Sequence, residues 1–381
     1  MKKIIVLAAV AALALFTSCE QKMDIPSQAG AEKVILDINV VPGGQATKVT
    51  GNVNTSDTNN DTEGETKIST LQVFVFAGDV RDGYIAKNVT TSAQVECTAG
   101  TRDIYCLINA PTSLNTVVSK SALLATVSTL VNNSENFEMI GFKTNQTVGE
   151  NSSISIPVNR LAAKIVVKNI ENALRAQGSI TIKRVYITNV AGQINYGLDN
   201  IAPANGTWYN KGGYRSASGQ HIGTFTQDIN LNASVIAGAK YTTNHFFYAY
   251  PNNNAPAGYS TNWAPKRTML VVQIQYGGKL YDYPVDLGVD LESNKMYVIN
   301  NLKLVNLGNE DDGNEGGTDE ENPITGVTAQ VSVDIKDWTV VTLGSSGAIT
   351  LCCNEQMFVC HIVRSAAFLS GMQPAVCRQA V

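Results

Sequence analysis

The sequence predicts a mainly β protein, built from two tandem antiparallel β-sandwich domains with few short helices. Three observations support this fold class. The 381 residues are 44% hydrophobic, enough to bury sizeable cores, yet only 16% are charged, fewer than a helical surface usually carries. Asparagine, a residue typical of turns, occurs 36 times. Many apolar residues recur at every second position, which is the period of a half-buried strand.

The N-terminus predicts a lipoprotein signal peptide over residues 1–18. Two lysines precede an unbroken apolar run at 4–16, which is too short to span a bilayer as a stable helix. Small residues then lead to Cys19, as in bacterial lipoprotein signals. We expect Cys19 to carry an acyl lipid such as palmitate. An ordinary secretion signal with a coincidental cysteine is the alternative.

The first predicted strand covers residues 34–40, where apolar side chains occupy alternate positions up to a Pro-Gly-Gly sequence at 42–44. Residues 51–66 are polar and have no apolar periodicity, so we expect a long exposed loop. Residues 71–76 are apolar on both faces, which suits a strand inside a sandwich.

Residues 91–97 and 103–109 predict a β-hairpin, since a short turn-like segment separates the two runs. Cys97 and Cys106 would be diagonal neighbours in that hairpin. Diagonal neighbours lie ~7–8 Å apart, too far for a relaxed disulfide. We therefore favour two buried free thiols over a bridge.

The apolar residues between 114 and 128 keep a nearly helical spacing, which predicts one helix on the sheet. We place the boundary between the two domains at Pro157, after another alternating segment. In the second half we expect the clearest hairpin at Gly277-Gly278, because primed two-residue turns need positive φ. Further strands are predicted at 161–167, 179–187, 241–250, 270–276, 281–287, 296–305 and 327–335.

Catalytic and metal-binding signatures are absent from the sequence. It contains no P-loop, G-x-S-x-G or H-E-x-x-H motif, and only three histidines. Asp57, Asn59 and Asp61 imitate the start of a calcium loop, but Thr62 and Ile68 replace its Gly and closing Glu. A net charge of −4 with no basic run argues against a nucleic-acid partner. We expect no enzyme activity, no metal and no cofactor.

Several motifs, in order along the chain, resemble those of a major fimbrial subunit, a fimbrillin of the type V pili of Gram-negative anaerobes. They are Cys19 after its signal, CTAGTR at 97–102, NRLAAKI at 159–165, and ENPIT at 321–325 before an alternating strand. The resemblance extends from residue 1 to about residue 343.

The resemblance implies transthyretin-like sandwiches and assembly by protease-triggered donor-strand exchange, supporting adhesion. An N-terminal strand is cut away, and a C-terminal segment of another copy takes its place. The implied partners are further copies, accessory pilins, the protease, and the membrane through lipid on Cys19. The implied location is the outer membrane for the precursor and then the extracellular fimbrium.

Residue assignments follow from this resemblance. Lys48 is the expected processing site, because Lys48 and Lys67 are the only basic residues between the first two strands. Trp338, Val340 and Leu343 are expected to be donor-strand residues, although burial of Trp338 in its own domain remains an equal alternative.

The predicted domain organisation combines these assignments. It comprises signal peptide 1–18, propeptide strand and cleavable loop 19–66, the rest of the first sandwich 67–157, the second sandwich 158–337, donor strand 338–351, and a Cys-rich tail 352–381.

Two alternatives to a polymerising subunit stay open. One is a tip or anchor pilin, and the other is an outer-membrane glycan-binding lipoprotein. A glycan binder would keep its first strand and expose aromatic rings on one face. Tyr241, Tyr248 and Tyr250 could supply such a platform, although alternating aromatic residues in a strand are more often core.

The tail holds four of the seven cysteines and matches nothing before it, so an altered reading frame or read-through is our preferred explanation of it.

Overall fold

The computed structural model describes the greater part of the chain. The described residues are 32–42, 65, 67–88, 90–199, 207–211, 226–254, 266–311, 313, 322–338, 349–353 and 356–360. Nearly all regular structure in them is extended, and the mainly β fold class is confirmed.

The described part of residues 32–160 contains eight strands and, between residues 120 and 134, two short helical segments. The strands are β1 (Lys33–Pro42), β2 (Thr70–Ala77), β3 (Val80–Asn88), β4 (Ser92–Thr98), β5 (Gly100–Ile108), β6 (Val127–Thr129), β7 (Met139–Val148) and β8 (Ser153–Arg160). Helix α1 covers Lys120–Ala125, and a 3-10 helix covers Leu130–Ser134. Seven strands join in the order β3-β2-β5-β7-β8-β1-β4.

The sheet folds over so that its two end strands, β3 and β4, pack closely. Gly83 of β3 marks this approach, because a Cβ atom there would lie 2.5 Å from the carbonyl oxygen of Glu96 in β4. Side chains from both layers meet between them, and β2 has buried residues on both of its faces, as its sequence predicts. A larger side chain at Gly83 would force the layers apart.

The hairpin predicted for residues 91–109 does not form. Strands β4 and β5 follow each other directly, but β4 pairs with β1 whereas β5 pairs with β2 and β7. The connection between them passes from one layer of the sandwich to the other. Cys97 and Cys106 are both free and buried, as favoured above, although the paired-hairpin geometry used to argue it was wrong.

The predicted helix is present but much shorter than the periodic segment. Helix α1 begins after Ser119, whose hydroxyl caps the amide of Ala122, and ends before Thr126, which is extended. Only Leu123 in the helix is fully buried. The neighbouring valines belong to extended backbone, since Val127 begins β6.

Residues 163–338 form two further main sheets. The described strands of this range are β9 (Ala163–Val167), β10 (Ile170–Asn172), β11 (Ile180–Thr188), β12 (Val190–Ala191), β13 (Gln193–Asn195), β14 (Trp208–Tyr209), β15 (Gln227–Val235), β16 (Lys240–Tyr241), β17 (His245–Ala249), β18 (Met269–Tyr276), β19 (Lys279–Asp286), β20 (Lys295–Leu304), β21 (Asn309–Glu310) and β22 (Ala329–Asp337). Of these, β12 pairs with β14 and β13 pairs with β6 outside the two main sheets. One sheet has the order β16-β10-β20-β9-β17 with β22 on β20, and the other has the order β15-β11-β18-β19-β21. In the tail, β23 (Ile349–Cys353) pairs with β24 (Gln356–Cys360).

The β18–β19 hairpin forms as predicted. Tyr276 pairs with Lys279 around the two glycines. Gly277 and Gly278 have φ values of 58° and 84°, the left-handed conformation that a type I′ turn requires. Pro157, by contrast, lies within β8 and not at the end of a strand.

Strand pairing and a buried polar network connect the first half of the chain to the second. β6 pairs with β13. The Tyr196 hydroxyl donates to Glu138 Oε2 at 2.7 Å, and Asn133 Nδ2 donates to the Tyr250 hydroxyl at 2.9 Å. Burial raises the pKa of the Glu138 carboxyl above its ordinary value, against the lowering effect of its hydrogen bonds.

We predict that Glu138 makes stability depend on pH. Because its pKa is raised in the folded state, its contribution is full below the ordinary glutamate pKa and is lost as pH rises through the raised value. Glu138→Gln cannot titrate. The free energy of unfolding of the wild type relative to Glu138→Gln should therefore fall as pH rises above about 4, the ordinary glutamate pKa, measured by urea unfolding. A difference that stays constant as the pH rises would contradict the assignment.

Candidate functional site

Strand β1 lies inside the sheet, although it is the first strand among the described residues. It pairs antiparallel with β4 and parallel with β8. Val34, Leu36, Ile38 and Val40 are at most 4% exposed, whereas Ile35 on the opposite face is 50% exposed. Full burial of such a side chain contributes ~1.5–3 kcal/mol, so β1 supplies a large share of the local core.

The neighbours of β1 would form a groove without it. In β4, Cys97 lies opposite Val34 and Val95 lies opposite Leu36. In β8, Ile156 lies opposite Val40. Loss of β1 would leave unpaired backbone groups along both neighbours and an apolar floor between them. Such a groove selects an extended peptide with apolar side chains at alternate positions.

Cys97 lies in this groove as an unreactive thiol. Burial raises the pKa of Cys97 to about 11 and that of Cys106 to about 12. Since the thiolate is the reactive form, both thiols are protected while β1 is in place.

Strand β22 provides a contrast with β1, because its apolar side chains are exposed. Among the described residues it pairs only with β20, at the edge of its sheet. Val331 and Ile335 are 37% and 49% exposed, and Val333 packs only partly against the core. Their partners in β20 are Leu302, Tyr297 and Ile299 respectively, and all three are fully buried. An exposed, alternating apolar edge is a template for pairing with another chain.

Trp338 follows β22 and is buried in its own chain. Only 2% of its surface is exposed. Its ring stacks on Tyr248 with centroids 5.7 Å apart and meets Phe137 edge-on at 5.2 Å. The guanidinium of Arg160 lies 4.5 Å from the ring centroid. The structure thus favours the core alternative for Trp338 over its assignment as a donor residue in the isolated chain.

Glu65 is the residue that the sequence placed wrongly in an exposed loop. It is fully buried, and Lys164 Nζ donates to its two carboxylate oxygens at 2.9 and 3.0 Å. The Tyr248 hydroxyl and the Trp338 indole also donate to it. The surrounding polar sequence gave no signal for this burial, because its partners lie about 100 residues or more away.

Other predicted site residues fall outside the described residues. These are Cys19, Lys48, Val340 and Leu343. Tyr248 and Tyr250 are core residues, so they form no exposed platform for a sugar.

In the described part of the chain, no group of His, Cys, Asp and Glu could hold a metal ion. The helices described there include none that is long and apolar enough to cross a membrane.

We predict that the two faces of β1 differ sharply in their contribution to stability. Leu36→Ala should lower the free energy of unfolding by about 2–5 kcal/mol, because it leaves a cavity in the core. Ile35→Ala, the matched change on the exposed face, should alter it by less than about 0.5 kcal/mol. Urea unfolding followed by circular dichroism measures both, and equal effects would show that β1 does not fill a core.

About a third of the chain matches a family model of a fimbrial protein. Residues 38–164 match the model of the major fimbrial subunit protein (FimA). The matched range includes the second half of β1 and continues through β8 into β9. No curated protein matches the chain at a significant level.

Solved structures share the fold over most of the chain. A fimbrilin (FimA) from Porphyromonas gingivalis W83 has a TM-score of 0.55 at 14% identity, covering 81% of this chain and 98% of its own. A candidate cell adhesion protein from Bacteroides eggerthii has a TM-score of 0.55 at 18% identity, covering 81% and 97%. Another from Parabacteroides distasonis has a TM-score of 0.56 at 16% identity, covering 82% and 98%.

Identities this low show a common fold and nothing finer. The family match concerns the sequence itself, and it falls on a segment that contains the second half of the buried strand. The resemblance to the major fimbrial subunit family is confirmed by the family model over residues 38–164. The solved fimbrilin shows a shared fold over most of the chain.

Proposed function

We propose that this chain is a structural pilin subunit that polymerises into surface fimbriae by protease-triggered donor-strand exchange and supports adhesion. The single observation that carries the proposal is the position of β1. The first described strand occupies the interior of a sheet and fills its core with four side chains. Its removal would create an acceptor groove that a strand from another copy can fill.

Strand β22 has the sequence pattern that the groove requires. Val331, Val333 and Ile335 alternate as Val34, Leu36 and Ile38 do. In its own chain β22 pairs with one strand and leaves two of these side chains substantially exposed. In the groove it would gain a second ladder and bury them, which gives exchange a favourable free energy. We therefore extend the proposed donor segment, residues 338–351 with Val340 and Leu343, back to β22.

Lys48 is the proposed processing site, because a cut there separates β1 from β2 in the chain. Lys67 is the other basic residue in this interval, and it is a poorer site. Its carbonyl accepts a hydrogen bond from Asn109 Nδ2 at 2.7 Å, close to the start of β2. A protease needs several residues of extended, unpaired backbone, which this anchoring denies it.

Lipid on Cys19 would hold the precursor at the outer membrane until that cut. The same cut would release the anchor with β1 and expose the groove to another copy or to an accessory pilin. Members of a fimbrial subunit family are structural proteins of the cell surface in general, and this assembly calls for no cofactor.

We predict that Cys97 reports the opening of the groove. In a chain with Cys19, Cys106 and the four tail cysteines changed to Ser, maleimide should label Cys97 slowly. Cleavage after Lys48 should raise the labelling rate at least about tenfold, because β1 covers the thiol and is then held without a covalent link. Lys48→Ala should remain protected under the same protease.

A donor peptide makes this experiment specific. A peptide of residues 329–343 should suppress labelling of the cleaved chain, whereas the matched peptide with Val333→Asp should not, because a buried charge is unfavourable. Labelling that is unaffected by both cleavage and peptide would contradict donor-strand exchange.

We predict that Cys19→Ala blocks surface delivery and fibre formation, because the precursor loses its lipid anchor. Cell fractionation and electron microscopy measure the two effects. Cys97→Ser is the matched control, since it changes a cysteine that carries no lipid. Normal fibres from Cys19→Ala cells would exclude the lipoprotein route.

A further inference from the structure

A buried ionic cluster holds the beginning of the C-terminal segment in place. Glu65 is at its centre and accepts from Lys164, Tyr248 and Trp338. The Arg160 Nε also donates to the Glu65 carbonyl at 2.8 Å. All five residues are at most 5% exposed, so these contacts operate without competition from water.

Every polar group of Trp338 is engaged in this cluster or beside it. Its backbone amide donates to the Asn294 carbonyl at 3.0 Å. Its carbonyl accepts from Arg160 Nη1 at 2.9 Å. Its indole N–H donates to Glu65 Oε2 at 3.2 Å. Trp338 is therefore held by directed bonds as well as by ring packing, in contrast to the exposed strand that precedes it.

The cluster joins the proposed donor segment to the segment between the proposed cleavage site and β2. Glu65 lies in sequence between Lys48 and β2, and Trp338 directly follows β22. Departure of β22 into another copy would pull Trp338 from its site and take a donor from the buried Glu65 carboxylate. It would also remove an acceptor from Arg160. Breaking a buried charged network at one member is strongly unfavourable.

We propose that Glu65 is a latch that keeps the donor segment docked on its own chain until processing. This inference rests on the proposed function. The weak docking of β22 makes such a device necessary, because an edge strand with exposed apolar residues is otherwise ready to pair with any open groove. The latch acts at Trp338, next to the strand, and leaves β22 itself suited to its later partner.

Hydrogen exchange of residues 329–338 tests the latch in the uncleaved, unlipidated full chain. Glu65→Gln removes the charge that holds Lys164 and the indole, so exchange of this peptide should quicken at least about tenfold. A β4 peptide, residues 93–98, should exchange as in the wild type. Glu310→Gln is the matched control, since it makes the same change at an exposed ion pair with Lys279 and should alter neither peptide.

Trp338→Phe provides a second variant in case Glu65→Gln unfolds the chain. It keeps an aromatic ring and removes the indole N–H, so residues 329–338 should again exchange faster while residues 93–98 do not. Wild-type exchange of residues 329–338 in whichever variants remain folded would overturn the latch.

Capture by a processed acceptor separates failure of the latch from failure of exchange itself. Uncleaved Glu65→Gln chain should join processed wild-type subunits at least about tenfold more than uncleaved wild type does. If processed wild-type subunits do not join one another, donor-strand exchange is wrong. If they do join and uncleaved Glu65→Gln is captured no better than wild type, the latch alone is wrong.

Discussion

The two backbone ladders of β1 are the interaction on which the first half of the structure depends. They close the sheet between β4 and β8, and the four buried side chains of β1 complete the core beneath it. No other described strand pairs with β4. Strand β1 is the first strand of the described residues, so a single cut between β1 and β2 would leave β1 attached by non-covalent contacts alone.

The second half of the chain contains a strand whose apolar side chains are partly exposed to solvent. β22 has an apolar face that its own sheet does not fully cover, although the residues opposite it in β20 are buried. Without β1, the groove between β4 and β8 would expose apolar residues, as β22 does in its own chain. Binding of β22 in that groove would bury both surfaces, and this is the physical basis of the proposed fibre. The barrier lies where the strand ends, at Trp338 and the buried charges around it. Ring stacking, charge pairing and backbone hydrogen bonds all meet there.

Local patterns in the sequence predicted the elements that depend on local chemistry. The alternation of β1, the two-sided burial of β2 and the Gly277-Gly278 turn were all predicted, because side-chain period and φ preference act over a few residues. The prediction for residues 91–109 was wrong. The turn-like residues in this region favour a hairpin of β4 and β5, whereas β4 pairs with β1, which lies about 60 residues earlier in the chain. The helix was shorter than its apolar spacing because Thr126 and Val127 adopt extended backbone that pairing with β13 stabilises.

In the candidate site, too, features set by local sequence were predicted and features set by distant residues were not. The alternation of apolar residues predicted both β1 and β22, but no local pattern indicated that Glu65 is buried or that Trp338 contacts it. Each of those residues depends on partners from distant parts of the chain, such as Lys164 and Tyr248. A charged residue in a polar segment is usually solvated, so only the assembled fold could show that this one is not.

The central claim is that β1 leaves the subunit when fibres form, and the mature N-terminus tests it most directly. N-terminal sequencing and intact mass should be measured on subunits isolated from surface fibres. The account predicts a start after residue 41 and before residue 68, with Lys48 as the preceding residue and no lipid on the subunit. Fibre subunits that begin at lipid-bearing Cys19 and retain β1 would contradict it.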